Sequence, residues 1–217
     1  MNSVADFGSQ VWLNSNHTNV IDVQLNETMR IVTGTVRATP VMWLPVLSNI
    51  VPAELRRKKS LDIFIFKAER HKNSILFEMI QEKTLQRLKS REPIWKNFDA
   101  VKNFDINRIW TQLWNEASVF GYETIDDPTK KANGTELERS TWVTLNQIRT
   151  HKVKCGSCLF KWGIIESPNC DCSPLEHCIA HITMFFPLRY FSGSFEELCT
   201  DQTSRALDWL QNLDIVL

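Results

Sequence analysis

Apolar side chains recur along this chain at helical rather than alternating spacing. Ile21, Leu25, Met29 and Val32 share one face at 3.6 residues per turn, so the spacing predicts a helix from Thr18, its N-cap, to Thr33, with Gly34 ending it. A second run opens at Asp105, a capping residue, and places Ile106, Ile109, Trp110, Leu113, Trp114 and Ala117 on one side, so both tryptophans are expected in the core. Thr135 to Glu138 reads as a capping box, and the helix it opens carries Leu137, Thr141, Leu145 and Ile148 inward. Ser194 to Glu197 repeats that pattern ahead of a last amphipathic helix with Ala206, Leu207, Trp209, Leu210 and Leu213. Residues 38–52, ATPVMWLPVLSNIVP, read instead as an extended or turn-rich connection, because each proline biases its predecessor away from the helical region, and Pro52 then suits a helix start. The fold class expected is mainly α, with one small irregular subdomain around the cysteines.

A length of 217 residues with 43% apolar content suffices for one sizeable core or two small ones. Lys plus Arg balances Asp plus Glu at 25 each, which removes any whole-chain electrostatic argument for a polyanion, a membrane or an acidic substrate. Locally the balance breaks. Ala53 to Arg91 holds eleven Lys or Arg against five Asp or Glu, and Arg56, Arg57, Lys58, Lys59, Arg87, Lys89 and Arg91 are candidate phosphate contacts with Trp95 just beyond. The alternative is a solvated basic face, and composition leaves both readings open. The opening MNSVADFGSQVW lacks the basic start and apolar run of a signal peptide, and no segment approaches the ~20 apolar residues of a membrane span. An intracellular protein, in cytoplasm or nucleus, is therefore expected, with the sequons at Asn16, Asn26 and Asn133 unmodified and the cysteines reduced.

All six cysteines lie between residues 155 and 199. Cys170 and Cys172, two apart, point to the same side of an extended segment, and Cys178 and His181, three apart, share one face of a helix. Together they make a Cys₃His set of the kind tetrahedral Zn²⁺ takes, with small reduced cysteines packed as hydrophobes as the alternative. Cys155-Gly-Ser-Cys158 invites a redox dithiol or a papain-type nucleophile. A papain-type cysteine needs its His and Asn about 130 to 150 residues downstream, whereas 59 residues follow Cys158, and the helical approach does not suit a thioredoxin frame. Cys155 remains open as a further zinc ligand, and Cys158 is expected in the core. Tyr122 to Asp127 is mis-spaced for the aromatic-x-Asp-Asp site of polymerases and Pro128 follows directly, so no Mg²⁺ site is expected. No G-x-x-x-x-G-K, G-x-S-x-G or H-E-x-x-H pattern occurs, so no catalytic residue is assigned.

Several phrases in order, VWLNSNHTNVIDVQLNETMRIVTG, TPVMWLPVLSNIVPAELRRK, RLKSREPIW, WVTLNQIRTHKVKCG, FKWGIIESPNCDC, then His181-Ile182 and PLRYFSG, resemble the C-terminal part of reverse transcriptases of insect jockey-type non-LTR retrotransposons. The ending ALDWLQNLDIVL resembles the terminus of such polyproteins, and by the same resemblance Met1 begins partway through a polymerase. The resemblance implies the end of a polymerase thumb over residues 1–51, a basic helical connector over 52–104 and a C-terminal helical region over 105–217, with a zinc-knuckle-like Cys/His motif at 155–186. It implies RNA or DNA as partner in target-primed reverse transcription, no small-molecule substrate, no membrane, and no activity of this piece, since the palm and its catalytic aspartates lie upstream. Its metal motif falls on Cys170, Cys172 and His181, and the fourth ligand on Phe186, where the family carries cysteine; Cys178, one turn before His181, is the replacement expected. The competing expectations are a helical interaction module without a nucleic-acid role, or a relic of a decayed element.

Overall fold

The computed structural model describes residues 6–72, 75–81, 98–170, 172–185, 190–200 and 204–213. Its helices are α1 (Ser9–Trp12), α2 (Thr18–Thr33), α3 (Trp43–Ser48), α4 (Ala53–Arg70), α5 (Ile75–Gln81), α6 (Phe98–Val101), α7 (Ile106–Glu116), α8 (Arg139–Arg149), α9 (Gly156–Lys161), α10 (Phe195–Thr200) and α11 (Ser204–Gln211). The sheet among the described residues is one antiparallel hairpin of β1 (Asn169–Cys170) and β2 (Ser173–Glu176), so the fold is mainly α. No described helix is long and apolar enough to cross a membrane. The chain divides into two compact units, Met1–Thr28 with Val51–Leu113 and Met29–Ile50 with Trp114–Leu217.

In the first unit, Leu61 and Ile65 of α4 bury against Val101 of α6, with Leu13, Phe64 and Phe98 packed around them. The four consecutive cations at the start of α4 do not form one face, because neighbouring helical residues stand 100° apart. Each meets its own carboxylate. Arg57, only 4% exposed, donates to both oxygens of Asp22 at 2.6 and 2.8 Å and lies 5.6 Å from the Trp12 ring centre. Arg56 pairs with Asp6 at 3.4 Å, Lys58 with Glu54 at 2.6 Å, and Lys59 with Asp62 at 2.9 Å while also donating to the Phe104 carbonyl. Arg57 is thus a fold residue, since its donors face a carboxylate inside the unit rather than solvent.

In the second unit, the proline-rich stretch forms α3 instead of the expected extended connection. Pro45 is the third residue of that helix, where a backbone N–H has no intrahelical acceptor, so the proline removes nothing. Trp43, Leu44, Val46 and Leu47 are all buried, which is how a helix apolar on every side is accommodated. Trp43 meets Trp114 edge to face, and their indole N–H groups donate to the Phe120 and Ile125 carbonyls. Helix α8 begins at Arg139, four residues after Thr135, because Leu137 N–H bonds back to the Gly134 carbonyl in a turn and Glu138 is extended. Asp105 and Ser194 do cap: Asp105 accepts from Asn107 and Arg108, and Ser194 Oγ accepts from Glu197 N–H.

One face of α8 terminates α2. Arg139 donates to the Ile31 and Val32 carbonyls, Asn146 to that of Thr33 at 3.0 Å and Gln147 to that of Gly34 at 3.0 Å. Gly34 has φ +67°, and a Cβ there would lie 2.2 Å from Val143, on the same face of α8. At the other end of α8, Arg149 is fully buried, donates to the Cys199 carbonyl and lies over the Trp142 ring; burial pulls its pKa down to about 10. His151 closes α8 at φ +51°, its N–H on the Ile148 carbonyl and that of Lys152 on Gln147, and its ring stacks on Phe120 and meets Phe195 edge-on.

Asn146→Ala and Asn146→Asp both leave the buried Thr33 carbonyl without a donor, so each is expected to lower stability by about 1–3 kcal/mol in urea denaturation. His151 generates a pH dependence. Burial first, and Lys152 second, lower its folded pKa to about 4 from the ordinary 6.5. Between those values the unfolded chain binds a proton that the folded chain does not, so stability falls as pH drops through this window and is unaffected by this group above it. Thermal melts of metal-free protein from neutral pH to pH 4 should show that loss, and His151→Asn, which tolerates the left-handed backbone, should flatten it.

Candidate metal centre

The cysteine-rich segment is assembled on the first turn of α9. Gly156 N–H donates to His177 Nδ1 at 2.9 Å, Ser157 N–H to the His177 carbonyl at 2.9 Å, and Ser157 Oγ to Glu176, while His177 N–H reaches the Pro168 carbonyl at 2.8 Å. These bonds clamp the end of β2 to α9, and His177 ties the residue before β1 to the same point. The approach is close enough that a Cβ on Gly156 would lie 2.9 Å from His177 Cβ, which accounts for glycine inside Cys155-Gly-Ser-Cys158. An amide N–H can only donate, so His177 Nδ1 accepts, and the proton of the neutral ring sits on Nε2. His177 is therefore a clamp and not a ligand.

The hairpin pairs Asn169 with Glu176 and Cys170 with Ser173, with an irregularity between Asn169 and Cys170, and Cys172 lies in the turn. That geometry puts the Cys170 and Cys172 sulfurs 3.0 Å apart. The chain then enters a wide π turn, His181–Phe185, whose first residue brings its Nε2 to 3.1 Å from the Cys172 sulfur. The three donor atoms lie within 4.8 Å of one another, His181 buried, Cys170 half-buried and Cys172 exposed, so the group could hold a metal ion. Tetrahedral zinc requires about 3.8 Å between two sulfurs and about 3.6 Å between sulfur and imidazole nitrogen, so the Cys170–Cys172 and Cys172–His181 pairs would each open by under about 1 Å to accept an ion. The donor set fits, with three protein ligands and one position left over.

Cys178 is not among the three. Ile182 N–H bonds the Cys178 carbonyl at 2.9 Å, so Cys178 and His181 do lie within one α-type turn, but sharing a turn does not bring the Cys178 sulfur to the other donors, and it stands half-buried outside the group. Cys155 caps α9 and is also outside it; burial pushes its thiol up to about 11, so it stays protonated and packs as a small apolar side chain. Cys158 is half-buried beside it, and Cys199, raised by burial to about 12, lies under Arg149. The clamp residues Glu176 and His177 were missed in the sequence, where only their position between Cys172 and Cys178 hinted at a role. Phe186, Arg87, Lys89 and Arg91 lie outside the described residues, and Arg56, Arg57, Lys58 and Lys59 carry the ion pairs given above. No protein family, no curated protein and no solved structure matches this chain.

Titration with Co²⁺, followed through the absorption of cobalt thiolate, should detect the site. Cys170→Ser, Cys172→Ser and His181→Ala are each expected to abolish that signal, and Cys178→Ser to preserve it. An equal loss in Cys178→Ser would make Cys178 the fourth ligand.

Proposed function

We propose that this chain is a non-catalytic C-terminal piece of a jockey-type reverse transcriptase, in which Zn²⁺ on Cys170, Cys172 and His181 staples a nucleic-acid-contacting region. The observation that carries the reading is spatial. The three positions on which the resemblance places ligands are far enough apart in sequence to diverge, yet their donor atoms form the one metal-capable group found among the described residues. A closed structural zinc site takes four ligands, and three leave a position for water, so the ion here is a staple of reduced affinity. Phosphate contacts by the start of α4 fall to Lys58 and Lys59, whose partly exposed ammonium groups can exchange a carboxylate for a phosphate oxygen.

The competing reading, a helical interaction module, draws on the internal pairing of Arg56 to Lys59, which leaves that segment little charge to offer a polyanion. Two measurements on the purified chain separate the readings. Zinc is expected at near-stoichiometric amounts by elemental analysis and lost to chelator together with thermal stability. Affinity for RNA or DNA oligonucleotides is expected to fall steeply with ionic strength, because binding releases condensed counterions. Absence of both would favour the interaction module.

A further inference from the structure

The second unit carries positive charge outside its ion pairs. No Asp or Glu occurs between Glu27 and Glu54 or between Glu138 and Glu166, and these two acid-free stretches meet at one surface. A cavity of about 530 Å³ opens there, lined by Val36, Arg37, Ala38 and Trp162. Arg37 and Ala38 occupy the tip of a turn closed by Thr39 N–H on the Val36 carbonyl. The turn is braced from below: Arg30 donates to the Thr39 carbonyl, Thr33 and Thr35 hydroxyls bond each other, and Gln147 holds Gly34. Across the cavity, Trp162 caps α9, fixed by Gly163 N–H on the Phe160 carbonyl and Ile164 N–H on the Leu159 carbonyl at 2.9 Å each. The indole remains 39% exposed and Phe160 44%, on either side of Lys161. Neither Arg37 nor Lys161 has a carboxylate partner among the described residues.

We infer that this cavity is a stacking site for a base of single-stranded nucleic acid, with the base on Trp162 and the adjoining phosphates met by Arg37 and Lys161. The inference rests on the nucleic-acid reading above and names where the strand is held. Charge favours a polyanion, since the two acid-free stretches carry cations without a carboxylate partner among the described residues. The exposed indole decides for a single strand, because a duplex hides its base faces while an unpaired base presents a π face to an aromatic ring.

The test uses fluorescence anisotropy with a labelled single strand of about 12 nucleotides, as RNA and as DNA, over a range of salt. Trp162→Ala should weaken binding about tenfold or more with the salt dependence unchanged, and Trp162→Tyr, which still stacks, should recover most of that loss. Arg37→Ala should weaken binding and reduce the salt slope by about 0.7, the contribution of one phosphate on a single strand. Matching melting curves confirm that the variants fold. If Trp162→Ala binds as the native chain does, if Tyr is no better than Ala, or if duplex competes as well as single strand, the stacking site is wrong while the proposed function stands. If the native chain binds no oligonucleotide, both fall.

Discussion

The second unit depends on how the C-terminus of α2 is finished. A helix leaves its last carbonyls without intrahelical donors, and here those of Ile31, Val32, Thr33 and Gly34 are all met by side chains of α8. Arg139, Asn146 and Gln147 fall seven and eight residues apart, so they share one face of α8, and Val143 on that face excludes any side chain at Gly34. This contact turns the chain sharply out of α2. The turn bearing Arg37 and α3, buried from Trp43 to Leu47, both follow from where the chain is released.

Electrostatics and metal chemistry are handled in opposite ways by the two units. In the first, a run of cations that looks like a binding face is dissolved into separate ion pairs, one of them buried, because adjacent helical residues point in different directions and each finds a carboxylate. In the second, donors scattered over a dozen residues converge beside a hairpin that bonds from Gly156 and Ser157 hold against α9. The clamp is built of hydrogen bonds between protein groups. A preformed scaffold of this kind lowers the conformational cost of collecting the ligands, which matters most where a fourth protein ligand is missing.

Period-based reading captured elements whose signal is local. Residues 18–33, the Asp105 cap and the Ser194 cap are legible because a helix declares itself within a few turns through spacing and a hydrogen bond to a nearby N–H. It fails at α3, where a proline in the first turn of a helix breaks nothing, and at Thr135, where a nearby glycine draws the chain into a turn. Cys170, Cys172 and His181 were legible as donors from residue type and from the resemblance, whereas His177 was not, because its role is set by the amide of Gly156, 21 residues away.

What the amino-acid sequence determined by itself is the helical class, the positions of the longer helices and the identity of the thiol and imidazole donors, since each rests on neighbours a few residues apart. The tertiary structure alone decided which cations are spent and which remain available. It also decided that Cys178 falls outside the donor group and that the polar face of α8 is buried as a cap for α2. The buried Arg57 pair and the cap on α2 depend on partners 35 and 107 to 113 residues away, for which a one-dimensional pattern carries no distance.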